Sequence, residues 1–573
     1  MNTSTSRCDM VILGGGLAGL TLAMQVRQRM PDINVLVLER RTLPAPEAAH
    51  KVGESSVEIG AHYFDKVLGL REHLHTKQLR KFGFRFFFSE GRRDIDQVTE
   101  IGASRHLSVP SYQIDRGIFE NFLTAEAQRR GVRFVESAMV RRVELSGSET
   151  TPAQDHEVVY EHEGAMHEVR ARWVVDACGR AGLLKRKLDL AQTNAHGAHA
   201  IWFRIKDRIV LDEWSDNLAW RERCDPQARW LSTNHLVGTG YWVWLIPLSS
   251  GSHSVGIVAD PRIHPLDTMD TFDKAMDWLQ KYQPRLFDDL DGKRHLLQDF
   301  AFLKRFSYGC KQVFSADRWA LTGEAGLFLD PFYSPGSDFI AISNTYITEL
   351  VDMDRRGERL GARAQIYDQL FHSFYDSTLA LYTDQYTLFG DPEVLPVKVI
   401  WDYAIYWGVL SQFFFHDRLT DLTTMAALRD EMARCQRLNL VVQSFLRAWS
   451  GKSLKRNAAV MLDQASIPWF AELNRSLNDE LDTAAFAERI RHSSAQLHQL
   501  AREILERALE DHPGLDGEEL RMLTEPTVNQ SRRMSAGGER MLPLREAPPQ
   551  CFALRPEGGT PSDRQSQVLG VAG

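Results

Sequence analysis

Short apolar runs of strand length alternate with helical stretches in the first part of the chain. Residues 10–13 form one apolar run, residues 20–30 have helical composition without Pro or Gly, and residues 35–38 form a second apolar run. The turn between the first strand and the helix, residues 14–19, reads Gly-Gly-Gly-Leu-Ala-Gly. A strand, a glycine-rich turn and a helix in this order predict a loop that binds the phosphates of a dinucleotide.

Three glycines and a following acid explain why this pattern suits a dinucleotide. Gly14 permits the tight turn, Gly16 lets the backbone approach a pyrophosphate, and Gly19 lets the helix pack closely on the strand. The second strand ends at Glu39, about 20 residues further on, where a carboxylate binds a ribose 2′-hydroxyl. An acid at this position argues against a 2′-phosphate, so NADP is not the expected ligand.

The rest of the pattern predicts a larger α/β unit followed by helices. Residues 82–88 form an apolar run with Lys81 at its entrance, typical of a strand that is largely buried. Residues 199–299 are rich in aromatics and alternating runs, which predicts an inserted sheet. Residues 351–525 have a helical pattern, and residues 526–573 are too rich in Ser, Gly, Pro and Arg to bury a core.

We therefore predict an α/β (α+β) fold with three parts. Residues 1–350 form a Rossmann-like dinucleotide-binding domain, into which a substrate-side sheet is inserted at about 199–299. Residues 351–525 form a mainly helical domain, and residues 526–573 form a disordered tail.

Composition narrows the class of protein. The chain has 573 residues, more than a single core holds, and its net charge of −8 with mixed signs leaves no basic face for nucleic acid. The six cysteines include no CxxC pair and no metal-ligand spacing, which predicts a reducing compartment and no metal site. The sequence shows no signal-peptide pattern and no uncharged apolar run of about 18 residues. We expect a cytoplasmic protein without a transmembrane segment.

Four segments together resemble a known group of flavoproteins. The glycine loop, Tyr-Gln-Ile-Asp-Arg at residues 112–116, Asp-Ala-Cys-Gly-Arg at 176–180 and Gly323-Glu324 resemble the FAD-dependent monooxygenases of the hydroxybenzoate-hydroxylase fold. Within that group, Trp-Val-Trp-Leu-Ile-Pro at residues 242–247 matches the WxWxIP signature of the flavin-dependent halogenases. The resemblance covers about residues 8–390.

The resemblance implies an FAD-dependent oxidoreductase of secondary metabolism. Reduced FAD, oxygen and a halide would yield hypohalous acid, which halogenates an electron-rich aromatic such as a phenol or a pyrrole. The aromatic substrate is either free or carried on an acyl carrier protein. A separate flavin reductase is expected as a transient partner, because the chain shows no second nucleotide fingerprint.

The resemblance also assigns roles to individual residues. It implies that Lys81 and Glu54 are catalytic, with Lys51 as the rival lysine, and that Trp242 and Trp244 wall the flavin off from the substrate. It places the halide and the substrate near Tyr333, Pro335 and Gly336. The cofactor contacts expected from the glycine loop and the resemblance are Gly14, Gly16, Leu17, Ala18, Gly19, Glu39, Arg40, Lys51, Ser55, Arg116, Asp176, Gly179, Glu324 and Ser337.

Two departures from the family pattern affect substrate and halide. Tyr333 stands where tryptophan-specific members carry a Glu that holds the indole, so tryptophan is not the expected substrate. Pro335 stands in the middle of the family's Ser-Thr-Gly turn and has no N–H, so one donor to a halide is missing. The amides of Gly336 and Ser337 remain as a small anion nest, and we expect weak halide use.

Two further functions remain open at this stage. The first is an FAD-dependent monooxygenase or oxidoreductase of the same fold without halide use, and the second is a catalytically idle flavoprotein subunit of a biosynthetic complex.

A separate alternative concerns the aromatic stretches at residues 367–389 and 401–415. They either pack as ordinary core or form an apolar pocket or docking surface, with Asp402 and tyrosine hydroxyls as its polar points.

Overall fold

The computed structural model describes residues 5–46, 52–147 and 154–525. Lys51 and the predicted tail at 526–573 lie outside the described residues. The strands are β1 (Thr5–Leu13), β2 (Val35–Leu38), β3 (Leu79–Arg80), β4 (Phe84–Phe87), β5 (Glu100–Gly102), β6 (Tyr112–Gln113), β7 (Arg133–Val135), β8 (Met139–Glu144), β9 (His156–His162), β10 (Ala165–Asp176), β11 (Ala191–Gln192), β12 (His199–Ile205), β13 (Thr233–Gly238), β14 (Tyr241–Pro247), β15 (His253–Ala259), β16 (Leu297–Leu303), β17 (Gly309–Cys310), β18 (Trp319–Leu321) and β19 (Met461–Asp463).

Helices surround these strands and then make up nearly all of the carboxyl-terminal region. The α-helices are α1 (Leu17–Arg29), α2 (Glu58–His62), α3 (Arg71–Lys77), α4 (Arg116–Arg129), α5 (Leu183–Lys187), α6 (Leu218–Arg221), α7 (Phe272–Tyr282), α8 (Pro284–Asp291), α9 (Gly336–Arg355), α10 (Gly361–Leu379), α11 (Leu395–Ile405), α12 (Ser411–Phe415), α13 (Leu422–Ala427), α14 (Arg429–Ser450), α15 (Pro468–Arg475), α16 (Thr483–Asp511) and α17 (Glu518–Thr524). Two π-helical turns, Tyr63–Val67 and Tyr406–Leu410, follow α2 and α11.

A seven-stranded sheet forms the centre of the first domain. Its order is β7-β2-β1-β10-β9-β8, and β18 also pairs with β10. The pairs among β7, β2, β1, β10 and β18 are parallel, whereas β8, β9 and β10 are antiparallel. The carboxyl ends of β1 and β10 therefore lie side by side, with Leu13 opposite Asp176. In open α/β sheets, ligands bind beyond these ends.

The second sheet has eight strands in the order β16-β12-β15-β14-β13-β4-β5-β19. The predicted insert supplies β12 to β16, and the sheet extends beyond it because β4, β5 and β19 come from elsewhere in the chain. Alternate residues face opposite sides, as the pleat requires. On β14, Trp242 and Trp244 pack into the main core, whereas Val243 and Leu245 pack under α7 and α8.

A buried ion cluster explains how the apolar strand β4 accommodates a charge. Arg85, which is fully buried, pairs with Glu100 on the neighbouring strand β5. Glu100 also accepts from Arg229, whose Nε lies 2.9 Å from its Oε1. Each charge is therefore paired and hydrogen-bonded, as a buried charge must be.

The predicted α/β (α+β) class is confirmed, with helices throughout residues 351–525 except for β19. That three-residue strand joins the second sheet through parallel pairing with β5. Among the described residues, no helix combines the length and apolar character needed to cross a membrane.

Candidate active site

The glycine turn has the geometry that its sequence predicts. Gly14 has φ +108°, and a Cβ there would lie 2.4 Å from the carbonyl oxygen of Ala177. A Cβ at Gly19 would lie 2.1 Å from the carbonyl oxygen of Gly14. A Cβ at Gly16, in contrast, would meet no atom within 4 Å. Gly14 and Gly19 are thus required by the fold, and Gly16 leaves open a space in front of α1.

That space belongs to a large cavity of about 860 Å³ between the two sheets. Most residues predicted to form the site line it, namely Gly14, Gly16, Leu17, Ala18, Glu39, Arg40, Glu54, Ser55, Arg116, Gly179, Trp242, Trp244, Glu324, Pro335, Gly336 and Ser337. Gly19, Asp176, Lys81 and Tyr333 lie behind or beside it. One large cavity therefore brings together segments that are more than 300 residues apart in the chain.

Two predicted acids shape the cavity in different ways. Glu39 lines it and accepts hydrogen bonds from the Gly15 amide at 2.8 Å and from Arg41. Burial acts to raise the pKa of Glu39, but the bonds and charge of Arg41 and the Gly15 amide hold it below its ordinary value. Asp176 is buried and accepts from the amides of Cys178 and Leu184, so it holds the turn after β10.

The donor set of the large cavity fits FAD. The amino-terminal ends of α1 and α9 face it, and helix amino-termini bind phosphates and other anions. Arg40, Arg41 and Arg116 line the same side, where a pyrophosphate needs positive charge. Two buried donors that line the cavity, Trp202 Nε1 and Ser337 Oγ, have no hydrogen-bond partner among the described residues. An occupant with acceptor atoms would satisfy them.

Trp202 is a cavity residue that the sequence did not predict. It lies on β12, level with Gly256 on β15, which is level with Trp244 on β14. A Cβ at Gly256 would lie 2.1 Å from the Trp244 ring, so the glycine makes room for that indole. This alignment depends on strand pairing between distant segments, and neither local motif nor spacing indicates it.

The indoles of Trp242 and Trp244 form a fixed wall of the large cavity. Their ring centroids are 5.7 Å apart. Trp244 Nε1 donates to Ser254 Oγ at 3.1 Å, and Trp242 Nε1 donates to the Tyr386 hydroxyl at 3.1 Å. Tyr386 in turn bonds to Asp330, which is fully buried. Both N–H groups are engaged, so the two rings are held in place.

Lys81 lies at the boundary of two cavities. Its Nζ is 2.9 Å from Ser55 Oγ and 3.2 Å from the carbonyl oxygen of Ser56, and it sits 3.4 Å above the centre of the Phe84 ring. Ser55 lines the large cavity, and Phe84 lines the second cavity described below. The side chain is buried and forms no ion pair with the described residues. Burial lowers the pKa of Lys81 well below its ordinary value, against the opposing effects of Glu58 and Asp338.

The second cavity has a volume of about 280 Å³ and is mainly apolar. Residues of α10, α11 and α14 line it together with Phe84, and Tyr333 and Asp338 contribute polar atoms. Pro335 and Phe339 line both cavities and so lie between them. The Tyr333 hydroxyl donates to Asp402 Oδ2 at 2.8 Å, and Asp402 pairs with the buried Lys398 at 2.7 Å. The aromatic segments at residues 367–389 and 401–415 therefore both pack in the core and line the second cavity.

Glu54 has a buried ionic partner. Its Oε1 accepts a hydrogen bond from Arg204 Nη2 at 2.6 Å, and Arg204 also forms an ion pair with Asp299 on β16. Burial raises the pKa of Glu54, and the charge of Arg204 acts against that rise. The carboxylate links the segment that carries Ser55 to the second sheet.

Trp407→Ala tests the packing role of the aromatic helices. Trp407 is fully buried, lies 4.5 Å from the Tyr403 ring and 4.7 Å from the Phe470 ring, and does not line the second cavity. We expect the free energy of unfolding to fall by about 3–5 kcal/mol, measured by urea denaturation. Leu410→Ala is the matched control, since Leu410 is half-buried and lines the cavity, and it should cost less. An unchanged stability in Trp407→Ala would contradict the core role.

Comparison with known proteins identifies the cofactor domain. A family model described as an FAD binding domain matches residues 7–252. The flavin-dependent halogenase chlA of Dictyostelium discoideum is 25% identical over 431 residues, which cover 70% of this chain and 70% of that protein. A 1H-pyrrole-2-carbonyl-[peptidyl-carrier protein] chlorinase of Pseudomonas fluorescens is 25% identical over 350 residues, covering 57% of this chain and 72% of the relative.

Solved structures show the same fold. Halogenase PltM, in complex with phloroglucinol and FAD, superimposes with a TM-score of 0.60 at 16% identity and covers 87% of this chain and 96% of its own. The flavin-dependent brominase Bmp2 superimposes with a TM-score of 0.51 at 21% identity, over 75% of this chain and 93% of its own. The likeness extends through most of the helical region, beyond the range that the sequence motifs cover.

Proposed function

We propose that this chain, an FAD-dependent enzyme of the flavin-dependent halogenases, halogenates a small electron-rich aromatic with reduced FAD, oxygen and a halide. The observation that carries the proposal is the position of Lys81. A buried amine lies between a cavity with the donor set for FAD and a second, apolar cavity of the size of a small ring system. A reactive halogen species formed in the first cavity would meet this amine before it reaches an acceptor in the second.

FAD bound in the large cavity supplies the activation of oxygen. We assign its binding to the glycine turn, to Glu39 for the ribose, and to Arg40 and Arg116 for the phosphates. A separate flavin reductase would deliver it reduced. The pair of Glu54 and Arg204 would position the segment that carries Ser55, because the carboxylate is already occupied by a guanidinium. Glu54 thus acts on the reaction through Ser55 and Lys81.

The chemistry of Lys81 follows from its surroundings. A neutral amine is a nucleophile towards hypohalous acid, whereas an ammonium is not. Burial and the lack of an ion pair with the described residues favour the neutral form of Lys81. Lys398 offers the contrast within the same region, because Asp402 lies 2.7 Å from its Nζ and its charge acts against the lowering of the Lys398 pKa by burial. We therefore assign halogen transfer to Lys81 alone of these two buried lysines.

The second cavity suits a phenol, a pyrrole or a similar ring as the acceptor. Its lining is mostly aromatic and aliphatic, with the hydroxyls of Tyr333 and Tyr406 as polar points. Two of the relatives act on a pyrrole-2-carbonyl group carried by a peptidyl-carrier protein. We propose the same ring chemistry here, with the acceptor either free or carried on such a protein.

A product screen tests the function. The purified enzyme would be incubated with reduced FAD, oxygen, and bromide or chloride, together with phenol, resorcinol, phloroglucinol, or pyrrole-2-carboxylate free and loaded on a carrier protein. Mass spectrometry should show a halogenated ring in at least one mixture. A hydroxylated ring that carries oxygen from O₂ would instead establish a monooxygenase. FAD binding without any product would favour the idle subunit.

Halide use should be weak and should depend on Pro335. Ser334 has φ +51° and Pro335 is the N-cap of α9, so an anion in this turn meets the amides of Gly336 and Ser337 but none from Pro335. One missing bond to an anion costs about 1.5–3 kcal/mol, or roughly ten- to a hundredfold in affinity. Bromide is more weakly hydrated than chloride and loses less on entry, so we expect bromination to exceed chlorination.

Pro335→Thr is the corresponding variant. The backbone at Pro335 has φ −75°, which a threonine adopts without strain, so the substitution restores the amide without altering the turn. We expect the halide concentration at half-saturation to fall by roughly tenfold or more. Pro335→Ala is the control, because it restores the same N–H without a hydroxyl. Wild-type saturation at low chloride, or an unchanged halide dependence in both variants, would show that the halide does not bind to this turn.

A further inference from the structure

A buried polar cluster lies behind the second cavity, and neither the fold nor the cofactor site explains it. Lys398 Nζ lies 2.7 Å from Asp402 Oδ2 and 2.6 Å from Gln443 Oε1, and Gln443 Nε2 donates to Asp402 Oδ1 at 2.7 Å. The three residues are at most 3% exposed. A buried ion pair is often no more stabilising than apolar packing of the same volume, so stability alone does not account for this cluster.

Tyr333 connects the cluster to the second cavity. Its hydroxyl donates to Asp402 Oδ2 at 2.8 Å, and the residue is half-buried and lines the cavity. Burial and the charge of Asp402 raise the pKa of Tyr333 well above its ordinary value, so the hydroxyl keeps its proton and continues to donate. A phenolic oxygen that donates one hydrogen bond can still accept another. The Tyr333 oxygen therefore offers an acceptor to an occupant of the cavity.

The polar groups next to Tyr333 are already engaged. Both oxygens of Asp402 accept from protein donors. The Tyr406 hydroxyl donates to Asp338 Oδ2 at 2.6 Å and accepts from the Ile59 amide at 3.1 Å. Among the described residues, no donor reaches the Tyr333 oxygen. A donor group on an occupant would therefore find its acceptor at Tyr333.

Tyr333 lies at the end of the cavity that Lys81 adjoins. The Phe84 ring, which has Lys81 Nζ 3.4 Å above its centre, is 6.1 Å from the Tyr333 ring, and both rings line the cavity. Arg429 and Ala433 of α14 line the same cavity and are exposed, so it opens to the surface there. A small ring that enters past α14 and reaches Phe84 would have Tyr333 at one edge.

We propose that the Tyr333 hydroxyl, held by Asp402, binds an O–H or N–H group of the acceptor ring and so selects phenols and N–H pyrroles over their methylated analogues. This inference rests on the proposed function, because it requires an aromatic acceptor and halogen transfer from Lys81. With the donor group fixed at Tyr333, the ring can turn only some of its carbons towards Phe84 and the amine. The same contact thus sets which ring position receives the halogen.

The hydrogen bond to Tyr333 also favours the reaction itself. When the ring attacks the halogen, positive charge develops on the ring, and in a phenol or a pyrrole part of it lies on the O–H or N–H group. That group becomes a stronger donor, so its bond to Tyr333 strengthens in the transition state and raises the rate. Its proton stays in place in this step. The pair of Lys398 and Asp402 orients and polarises the Tyr333 hydroxyl from behind.

The wild-type enzyme provides the first test. The two substrates are the ring that it halogenates in the product screen and the O-methyl or N-methyl analogue of that ring, which is similarly reactive but has no donor. We expect kcat/KM for the parent ring to exceed that for the analogue on the order of 100-fold or more, because a buried acceptor without its partner is costly. Equal values for the two rings would overturn the inference and leave the proposed function standing.

Tyr333→Phe is the corresponding variant, because it keeps the aromatic ring and removes the acceptor. We expect kcat/KM for the parent ring to fall by roughly tenfold or more, whereas the value for the methylated analogue does not fall. The ratio of product isomers should change, while FAD affinity and flavin reoxidation stay at the wild-type values. An unchanged preference for the parent ring would contradict the role of Tyr333.

Tyr375→Phe is the matched control within the same helical region. The Tyr375 hydroxyl accepts from Asn194 Nδ2 at 2.8 Å, and the residue is buried and lines neither cavity. This variant should retain the wild-type preference and the wild-type product isomers. A loss of preference in Tyr375→Phe equal to that in Tyr333→Phe would show that the effect is not specific to the cavity, and would overturn the inference.

The double variant Lys398→Met with Asp402→Asn tests the positioning pair. It removes both charges and leaves an amide oxygen for the Tyr333 hydroxyl. We expect kcat for the parent ring to fall about tenfold, and kcat for the methylated analogue to stay the same. A loss of equal size with both rings would show that the pair only supports the fold. A wild-type enzyme that halogenates no arene would overturn both this inference and the proposed function.

Discussion

Lys81→Ala is expected to abolish halogenated product while flavin reoxidation continues at close to the wild-type rate. The amine lies beyond the large cavity, so its removal leaves the cofactor contacts in place. It also removes the nucleophile that lies between the first cavity and the second. Hypohalous acid would then leave the protein unused, and the yield of product per FAD oxidised should fall towards zero.

Three measurements distinguish this outcome from a structural one. FAD affinity and the melting temperature report the fold, oxygen consumption reports reoxidation, and a β-diketone added to the solution traps hypohalous acid. Lys81→Met is the matched variant, because it fills the space above Phe84 without an amine and should behave like Lys81→Ala. Lost FAD binding or lost oxygen consumption in both variants would show that Lys81 is structural.

Gly16→Val is expected to abolish FAD binding without unfolding the protein. The backbone at Gly16 has φ −88° and ψ −171°, an extended conformation that valine adopts readily. A Cβ there meets no protein atom within 4 Å, so the branched side chain would project into the space that the pyrophosphate needs. Titration of the apoprotein with FAD should show no saturable binding, and its melting temperature without FAD should match that of the wild type.

Gly19→Ala is the matched control for the glycine turn. Its Cβ would lie 2.1 Å from the Gly14 carbonyl oxygen and 3.1 Å from the Ile12 side chain, so α1 must move away from β1. We expect a lower melting temperature even in the absence of FAD. If Gly16→Val binds FAD with wild-type affinity, the pyrophosphate does not pass over this turn.

The second sheet shows where prediction from sequence was sufficient and where it was not. The apolar run at β4 predicts a buried strand and the alternating runs that include β14 predict an inserted sheet, and both strands are buried throughout. The pairing of β4 with β13, and of β5 with β19 from the helical region, could not be predicted, because those partners are roughly 150 and 360 residues away. Local periodicity reports which face of a strand is buried, but not which strand lies beside it.

For the site, too, the sequence was sufficient to predict some features and not others. Motifs in short segments predict FAD, and that cofactor is confirmed by the match to an FAD binding domain. Lys81 could be singled out from sequence because a lysine at the start of a buried strand is unusual. Its surroundings depend on Ser55 and Ser56, which a separate segment contributes, and on Phe84 of the strand that follows it. The role of Lys81 is a proposal that the variants above test.

By itself, the sequence determined the cofactor turn of this protein, since Gly14, Gly16 and Gly19 stand at the spacing that a strand, a tight turn and a helix require, and Gly14 has φ +108°. It also determined the sheet-and-helix class and the indole pair on β14. Only the tertiary structure decided that a second cavity lies behind Pro335, and that Lys81 lies beside it above the Phe84 ring. The reason is physical: a turn is specified by sterics between near neighbours, whereas a cavity and a perturbed pKa are specified by what distant segments exclude from water.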